Sequence, residues 1–536
     1  MFRRILLTVL LAFAIPTVTE AGVSTPPSIP PFTPETTGTR PVVAAGLNHI
    51  YALDASNYQV YRRGRTGGPG TVVVHRTPLW SLFAAEIKKL NLNVTYPAST
   101  GITPCPVRFA GAPSIPDANG YVPFEKVACI ERAYDSDVLY DPQTKRIWIL
   151  AHLRPSIWKC KDQQGYWTRA DPAGTCHLPS LATLKAMLHR YIAVAVSRPG
   201  ATSADPEDPA NGFSSFILAD DYGDWTQLMV HNGLVLVNSR DLGTDNRLYV
   251  FGADDLINGT IPNGSVLPTP SAKFDKNNFN RSAVDWVNKK TVQVTLNTAM
   301  MFVRQQSDPK VTYLLSGTAD AKMVVYGLLT NRAATGRMPA PTLIMPAVVS
   351  LPETMPQLQK ASGAYIGGYL YWGWGSTETY TGRGYVRTFR WPLHRASTAW
   401  NGVYPVFVSN DPASGYLEAD IGKEIKDYNW VLPTMNAAPN GDVITMVNAF
   451  PAHQTYSEPQ GGSVWYAVLR KGEIKYDYPY YLSPARGVAT DPPHKGGVLD
   501  ITTVAPDPLV PGQFFLGNAY SGETGGWPHV IAGVKP

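Results

Sequence analysis

The sequence predicts an all-β chain folded as a β-propeller of seven blades, or six if one weak repeat is an insertion. Three observations predict it. A strand–turn–strand unit recurs along most of the chain, and helical periodicity is scarce. The 536 residues are also rich in turn formers and strand-favouring aromatics, with 46 Gly, 47 Pro, 28 Tyr and 13 Trp. A single hairpin sheet cannot bury both its faces, so repeated sheets must stack on one another.

The N-terminus comes first. Arg3 and Arg4 precede an apolar stretch, Ile5 to Ile15, and Thr19-Glu20-Ala21 ends on a small residue. That is the layout of a secretory signal peptide over residues 1–21, too short to span a bilayer. No Cys follows the expected cleavage point, so no lipid anchor is expected. Downstream, the apolar run from Pro341 to Pro352 is broken by prolines, and no transmembrane anchor is expected. The expected location is secreted, periplasmic or extracellular. Residues 22–40, "GVSTPPSIPPFTPETTGTR", read as a mobile Pro/Thr-rich linker. Residues 41–536 form the expected propeller domain.

Within that domain the clearest hairpins are "DVLYDPQTKRIWILAHL" from Asp137, "WTQLMVHNGLVLVNSRD" from Trp225, "WVLPTMNAAPNGDVITMVNAF" from Trp430 and "LDITTVAPDPLVPGQFFLGNAY" from Leu499. Weaker copies begin near Ala44, Val311 and Ala364. Together they place module starts near residues 41, 134, 212, 293, 360, 427 and 498. Only Leu79–Leu90 and Leu181–Ala193 carry helical patterning, the second with Ser180 as N-cap. In three of the four hairpins the second strand ends on Asn: Asn238, Asn448 and Asn518. The favoured reading of these residues is local bonding to the backbone, with a ligand site as the rival. At the C-terminus, "WPHVIAGV" reads as a strand that closes the last blade, with Val42 to Leu47 as its partner or neighbour.

Four cysteines, Cys105, Cys129, Cys160 and Cys176, suit an oxidising compartment and read as two disulfides. Of the three pairings, the local one, Cys105–Cys129 with Cys160–Cys176, is favoured. None has the close spacing of a metal site.

Function is less legible. A net charge of +5 without a basic stripe argues against a nucleic-acid partner. No G-x-S-x-G elbow, H-E-x-x-H helix, Walker A loop or dinucleotide fingerprint is present. If the first strand of each blade lines a central axis, groups at its entrance share one pocket. Those groups are Asp137 with Asp135, Asp224 with Trp225, Asn429 and Trp430 with Asp427, and Asp500. No cofactor is expected, although a ring of such acceptors can hold a calcium ion as well as sugar hydroxyls, and two carboxylates at suitable separation can cleave a glycosidic bond. The rival reading has the carboxylates capping backbone amides. The aromatic stretch Tyr369 to Tyr385 either stacks on sugar rings or packs between blades.

"DVLYDPQTKRIWILAHL", "DYGDWTQLMVHNGLVLVNSRDLGTDNRLYVFGADDLING" and the closing "LDITTVAPDP" with "FFLGNAYSG" resemble blades of secreted sialidase-like (BNR-type) β-propeller proteins, a largely uncharacterised group. The resemblance implies S-x-D-x-G-x-x-W turns, an arginine triad, a Tyr/Glu nucleophile pair and an acid Asp. This chain departs from that pattern. "SNDPASGY" from Ser409 has other spacing and lacks Trp, and Arg383, Arg387, Arg390 and Arg486 are the arginine candidates. The expectation is therefore a secreted propeller binding an extracellular ligand, a glycan or cell-surface polymer. The alternatives are a glycoside hydrolase or lyase using central carboxylates, and a structural component of an envelope or extracellular assembly.

Overall fold

The computed structural model describes residues 24, 26–32, 42–54, 57–64, 69–83, 85–86, 94–95, 108–109, 125–161, 167–168, 191–199, 212–220, 224–240, 245–259, 267–298, 300–330, 340–352, 363–377, 383–452, 462–483, 503–520 and 529–536. The signal-peptide reading lies outside them. Within them the chain is all-β. Helix is confined to short turns such as Ala253–Ile257 and Lys276–Phe279.

The strands group into antiparallel meanders. Sheet 1 holds Val42–Ala45, His49–Leu53, Asn57–Arg63 and Pro69–Pro78. Sheet 2 runs from Glu125–Asp141 through Arg146–Lys161 and Tyr191–Ser197 to Phe213–Asp220. Sheet 3 starts at Asp224–His231 and ends at Ala272–Phe274. One 11-stranded sheet divides at a parallel pairing into sheet 4, led by Met301–Gln306, and sheet 5, led by Gly363–Ile366. Sheet 6 starts at Tyr428–Ala437. Sheet 7 holds Thr503–Pro506, Phe514–Ala519 and His529–Val534. The module start expected near residue 212 falls instead on the outer strand of sheet 2, and sheet 3 begins at Asp224.

Turn chemistry sets the register. Asn232-Gly233 joins the first two strands of sheet 3 with both residues at positive φ, 54° and 73°, the geometry that matches strand twist in a two-residue hairpin. The strands it joins are apolar on both faces: Leu234–Arg240 is buried along its whole length. A sheet buried on both sides must be sandwiched between neighbours. The first strand of each sheet accordingly packs against the first strand of the next, and Thr503–Pro506 of sheet 7 packs against Val42–Ala45 of sheet 1.

Sheet 7 is completed by the N-terminal segment. Ile29–Phe32 pairs antiparallel with His529–Val534, and Ile29 is buried with Val43, Ile50, Phe515 and Ile531. The stretch read as a mobile linker thus contributes an edge strand. Its two prolines are tolerated because an edge strand has one side free of ladder bonds. Upstream, the buried Ser24 donates its amide to the Tyr478 carbonyl at 2.9 Å, and its Oγ accepts from the Val468 amide at 3.2 Å. Val42–Ala45 is a neighbour of sheet 7 and not the partner of its last strand.

The recurrent asparagines tie sheet to sheet. Asn448 Nδ2 donates to the Ala519 carbonyl at 3.1 Å, and its Oδ1 accepts from Asn518 Nδ2 at 2.8 Å. Asn518 Oδ1 accepts from the amide of Ala519 at 2.7 Å. Asn238 accepts from the Gln227 amide within sheet 3 and donates to the Met300 carbonyl at the entry of sheet 4. These bonds serve the backbone, but across sheets as well as locally.

The described residues cover only part of each helical stretch. Leu79–Phe83 is a 3-10 turn and Ala85–Glu86 is helical, with 84 and 87–90 outside the described residues. Of the second stretch only Tyr191 to Ala193 is described, and it lies in the strand Tyr191–Ser197. Tyr191–Ser197 is buried between two strands, where β pairing overrides weak helical periodicity. Cys105 and Cys176 lie outside the described residues. On the backbone, Cys129 is opposite Ser156, four positions from Cys160, which separates these two cysteines by roughly 13 Å along the strand. That register disfavours a Cys129–Cys160 bridge.

Candidate functional site

A cavity of about 340 Å³ opens where the first strands of five sheets meet. Ala44 and Ala45, Val138 to Asp141, Leu228 to His231, Arg304 and Thr503 to Pro506 line it. Most of these are residues toward the C-terminal ends of first strands. The predicted site used the opposite ends, the strand entrances.

Asp137 and Arg304 organise one wall. Asp137 is 1% exposed; its Oδ1 accepts from the Val138 amide at 2.9 Å, and its Oδ2 from the Leu228 amide at 3.1 Å. Arg304 Nη2 donates to the same Oδ2 at 2.9 Å, so three sheets meet at one carboxylate. A carboxylate holding two amides and a guanidinium is a fixed anchor. The Arg304 side chain keeps 14% of its surface and lines the cavity. A guanidinium has five N–H donors, and among the described residues Asp137 takes the one bond it makes.

Asp141 and His231 complete the polar lining. Asp141 accepts from the Gln143 and Thr144 amides at 3.1 Å each and from Thr144 Oγ1 at 2.6 Å, capping the Asp-Pro-Gln-Thr turn. His231 Nδ1 lies 2.8 Å from Thr312 Oγ1. Burial pushes its pKa down to about 4 against the opposing charge of Asp308, so the ring is neutral at pH 7. The walls between these groups are apolar: Ala44, Val138, Leu228 and Val504.

The structure treats the sequence-derived candidates unequally. Asp137 reaches the cavity region as a backbone and arginine anchor, matching the capping alternative. Asn429 Oδ1 accepts from the Gly384 amide at 3.0 Å and joins sheet 6 to sheet 5. Trp430 is fully buried, with Tyr428 and Trp465 ring centroids at 5.8 and 5.3 Å, so it presents no face to a ligand. Asp224 and Trp225 open the first strand of sheet 3, but their side chains lie outside the description. Asp500 and Arg486 lie outside the described residues. Trp372 and Trp374 are fully buried and stack on Phe389 at 5.3 and 4.7 Å, so these two rings pack the protein interior.

The arginine candidates do not converge. Arg387 pairs with Glu418 and Asp420 at 3.0 and 3.3 Å, Arg390 Nε donates to the Gly415 carbonyl, and Arg383 bonds the Lys423 carbonyl. All three stand on or beside the strand Gly384–Arg395 of sheet 5, away from the cavity lining. Among the described residues no three His, Cys, Asp or Glu side chains group as metal ligands. Nor does any helix there have the length and apolarity to cross a membrane. Sequence reasoning missed Arg304, His231 and Asp141. Only the Asp-Pro-Gln-Thr turn and the His-Asn-Gly corner gave a local signal, and both are turn signals.

No known protein family matches the sequence, and no curated protein is significantly similar to it. Similar solved structures exist. A protein of unknown function from Dyadobacter fermentans is 10% identical over 75% of this chain and 93% of its own, with a TM-score of 0.25. A glycosyl hydrolase from Bacteroides ovatus is 9% identical over 82% and 93%, with a TM-score of 0.24. An engineered GH43 glycoside hydrolase with endo-xylanase and exo-arabinofuranosidase activity is 10% identical over 94% and 96%, with a TM-score of 0.23. At this looseness of overlay the likenesses carry no argument about activity, and the sialidase-like resemblance gains no support from them.

Proposed function

We propose that the chain is an exported seven-bladed β-propeller that binds a glycan or glycan-like polymer in its axial cavity. The blade reading is supported by the succession of first-strand contacts that returns from sheet 7 to sheet 1, and by Ile29–Phe32 supplying the outer strand of the last sheet. The binding reading is carried by one observation. The cavity offers Arg304 donors and apolar walls, while the carboxylates Asp137 and Asp141 are committed, Asp137 to its anchor and Asp141 to its turn. That chemistry suits orienting a hydroxyl-bearing ligand better than cleaving one. A glycan-array screen of the protein, repeated with Arg304→Lys, tests it. Lysine keeps the counter-charge of Asp137 and loses the planar fork. Binding reduced at least tenfold with unchanged thermal unfolding is expected; unchanged binding, or no ligand at all, overturns the proposal.

The second reading is a glycoside hydrolase, the activity printed for two of the similar structures. It rests on Asp224, which opens a first strand packed between those of sheets 2 and 4, and on Asp500, which precedes the first strand of sheet 7. Reducing-sugar release from the array hits, abolished in both Asp224→Asn and Asp500→Asn, would establish it in place of the first.

A further inference from the structure

Sheets 4 and 5 carry elements that the repeat does not explain. The hairpin Ser282–Asp285 and Lys290–Gln293 pairs along the edge strand Thr342–Ser350 of sheet 4, and Val406–Val408 pairs with the end of Gly384–Arg395 in sheet 5. Two indoles lock these elements together. Trp286 Nε1 donates to the Val406 carbonyl at 2.8 Å, and Trp400 Nε1 donates to Thr291 Oγ1 at 3.0 Å. The rings meet edge to face at 5.5 Å, and Phe407 lies 5.0 Å from Trp286. The turn Asn401-Gly402, at φ 49° and 80°, then holds Val403 and Tyr404 outward. Tyr404 is 47% exposed and Val287 60% exposed, so a rigid aromatic and apolar surface faces solvent.

Its charge is one-sided. Residues 281–293 and 394–408 contain Arg281, Lys289, Lys290 and Arg395 against the single carboxylate Asp285. Asp285 turns back to accept from the Asn288 amide and side chain at 2.9 and 2.7 Å. Lys289 sits 5.5 Å over Trp286, and Arg395 5.3 Å over Tyr404. An aromatic surface of this kind contacts the C–H face of a pyranose ring, and flanking cations pair with acidic groups on it.

We propose that this outer surface of sheets 4 and 5 docks an acidic polysaccharide, a chain of pyranose rings bearing carboxylate or sulfate groups. The charge balance favours an anionic occupant, and the exposed Val287, Val403 and Tyr404 favour a sugar over a bare polyanion. The site is separate from the axial cavity and does not depend on it. Affinity electrophoresis of the full protein in gels containing polygalacturonate, amylose or single-stranded DNA tests the proposal. Retardation by polygalacturonate alone is expected, weakened at least tenfold in Lys289→Glu/Arg395→Glu and in Tyr404→Ser. It should be unchanged in Arg304→Lys, which separates this surface from the cavity. Equal retardation by DNA would mean a general polyanion surface, and retardation by amylose a neutral-sugar site. Dimers that the charge-reversed variant abolishes would mean a self-interface. Any of these results, or unaltered retardation in the variants, overturns the proposal.

Discussion

Removing the Asp507 carboxylate should weaken the seam between the first and last sheets more than any surface change. Arg63 and Asp507 form a two-pronged pair at 2.8 and 2.6 Å, with side chains only 4% and 0% exposed. Asp507 also accepts from the Leu509 amide at 2.9 Å and from Gln513 Nε2 at 3.0 Å, while Arg63 donates to the Gly46 carbonyl and lies over the Phe515 ring. Asp507→Ala therefore strands a buried guanidinium, which costs about 3–5 kcal/mol, and uncaps a turn for about 1 kcal/mol more. The paired replacement Arg63→Met/Asp507→Leu removes both charges and should cost less than Asp507→Ala alone, because no desolvated charge is left over. Urea unfolding, analysed with m-values to confirm that the transition stays cooperative, gives both numbers. The reasoning fails if Asp507→Ala costs under about 1 kcal/mol, or if the double variant costs as much as the two single changes added.

The remaining predictions probe other joints of the fold. Deleting residues 24–32 should expose the His529–Val534 edge and cause aggregation or early unfolding, and a synthetic peptide of those residues should restore stability in trans; normal unfolding of the truncated chain would refute the closure. Gly422→Ala should be severely destabilising. Its φ is +79°, and an added Cβ would lie 2.2 Å from Trp430 Cδ1, so near-native thermal stability would show that the aromatic packing there can yield. Asn448→Ala leaves the Ala519 carbonyl and the Asn518 amide group without that partner and should cost about 1–3 kcal/mol; a loss no larger than that of an exposed Asn would contradict the inter-sheet role. His231 is held neutral in the folded state, with its pKa lowered to about 4, whereas the unfolded ring protonates near 6.5. The unfolded state thus binds the proton first, so stability is full above pH 6.5 and falls, on the order of 3 kcal/mol, as pH drops toward 4. His231→Gln should flatten that part of the pH profile in urea midpoints, and an equal slope in both proteins would exclude His231 as the cause.

The sequence by itself determined that the chain is all-β and repeated. Paired apolar strands around Asn-Gly and Asp-Pro turns are local signals, and local chemistry suffices to place Asp224–His231, Leu234–Arg240, Tyr428–Ala437 and Val443–Pro451. It marked Asn238, Asn448 and Asn518 as special, but their partners Met300, Ala519 and Asn448 are 62, 71 and 70 residues away. Only the tertiary structure decided that Trp430 is a packing residue, that Arg304 holds Asp137, and that the proline-rich stretch at Ile29–Phe32 is a strand. Each of these outcomes depends on what lies across a sheet or a seam. Trp430 is buried because Gly422 lacks a side chain, and Arg304 is positioned by a carboxylate 167 residues away. Ile29–Phe32 is ordered because the far end of the chain offers an open edge. Burial and pairing of this kind come from stacked sheets: Arg304 and Asp137, like Ile29 and Gly533, share no short window of consecutive residues.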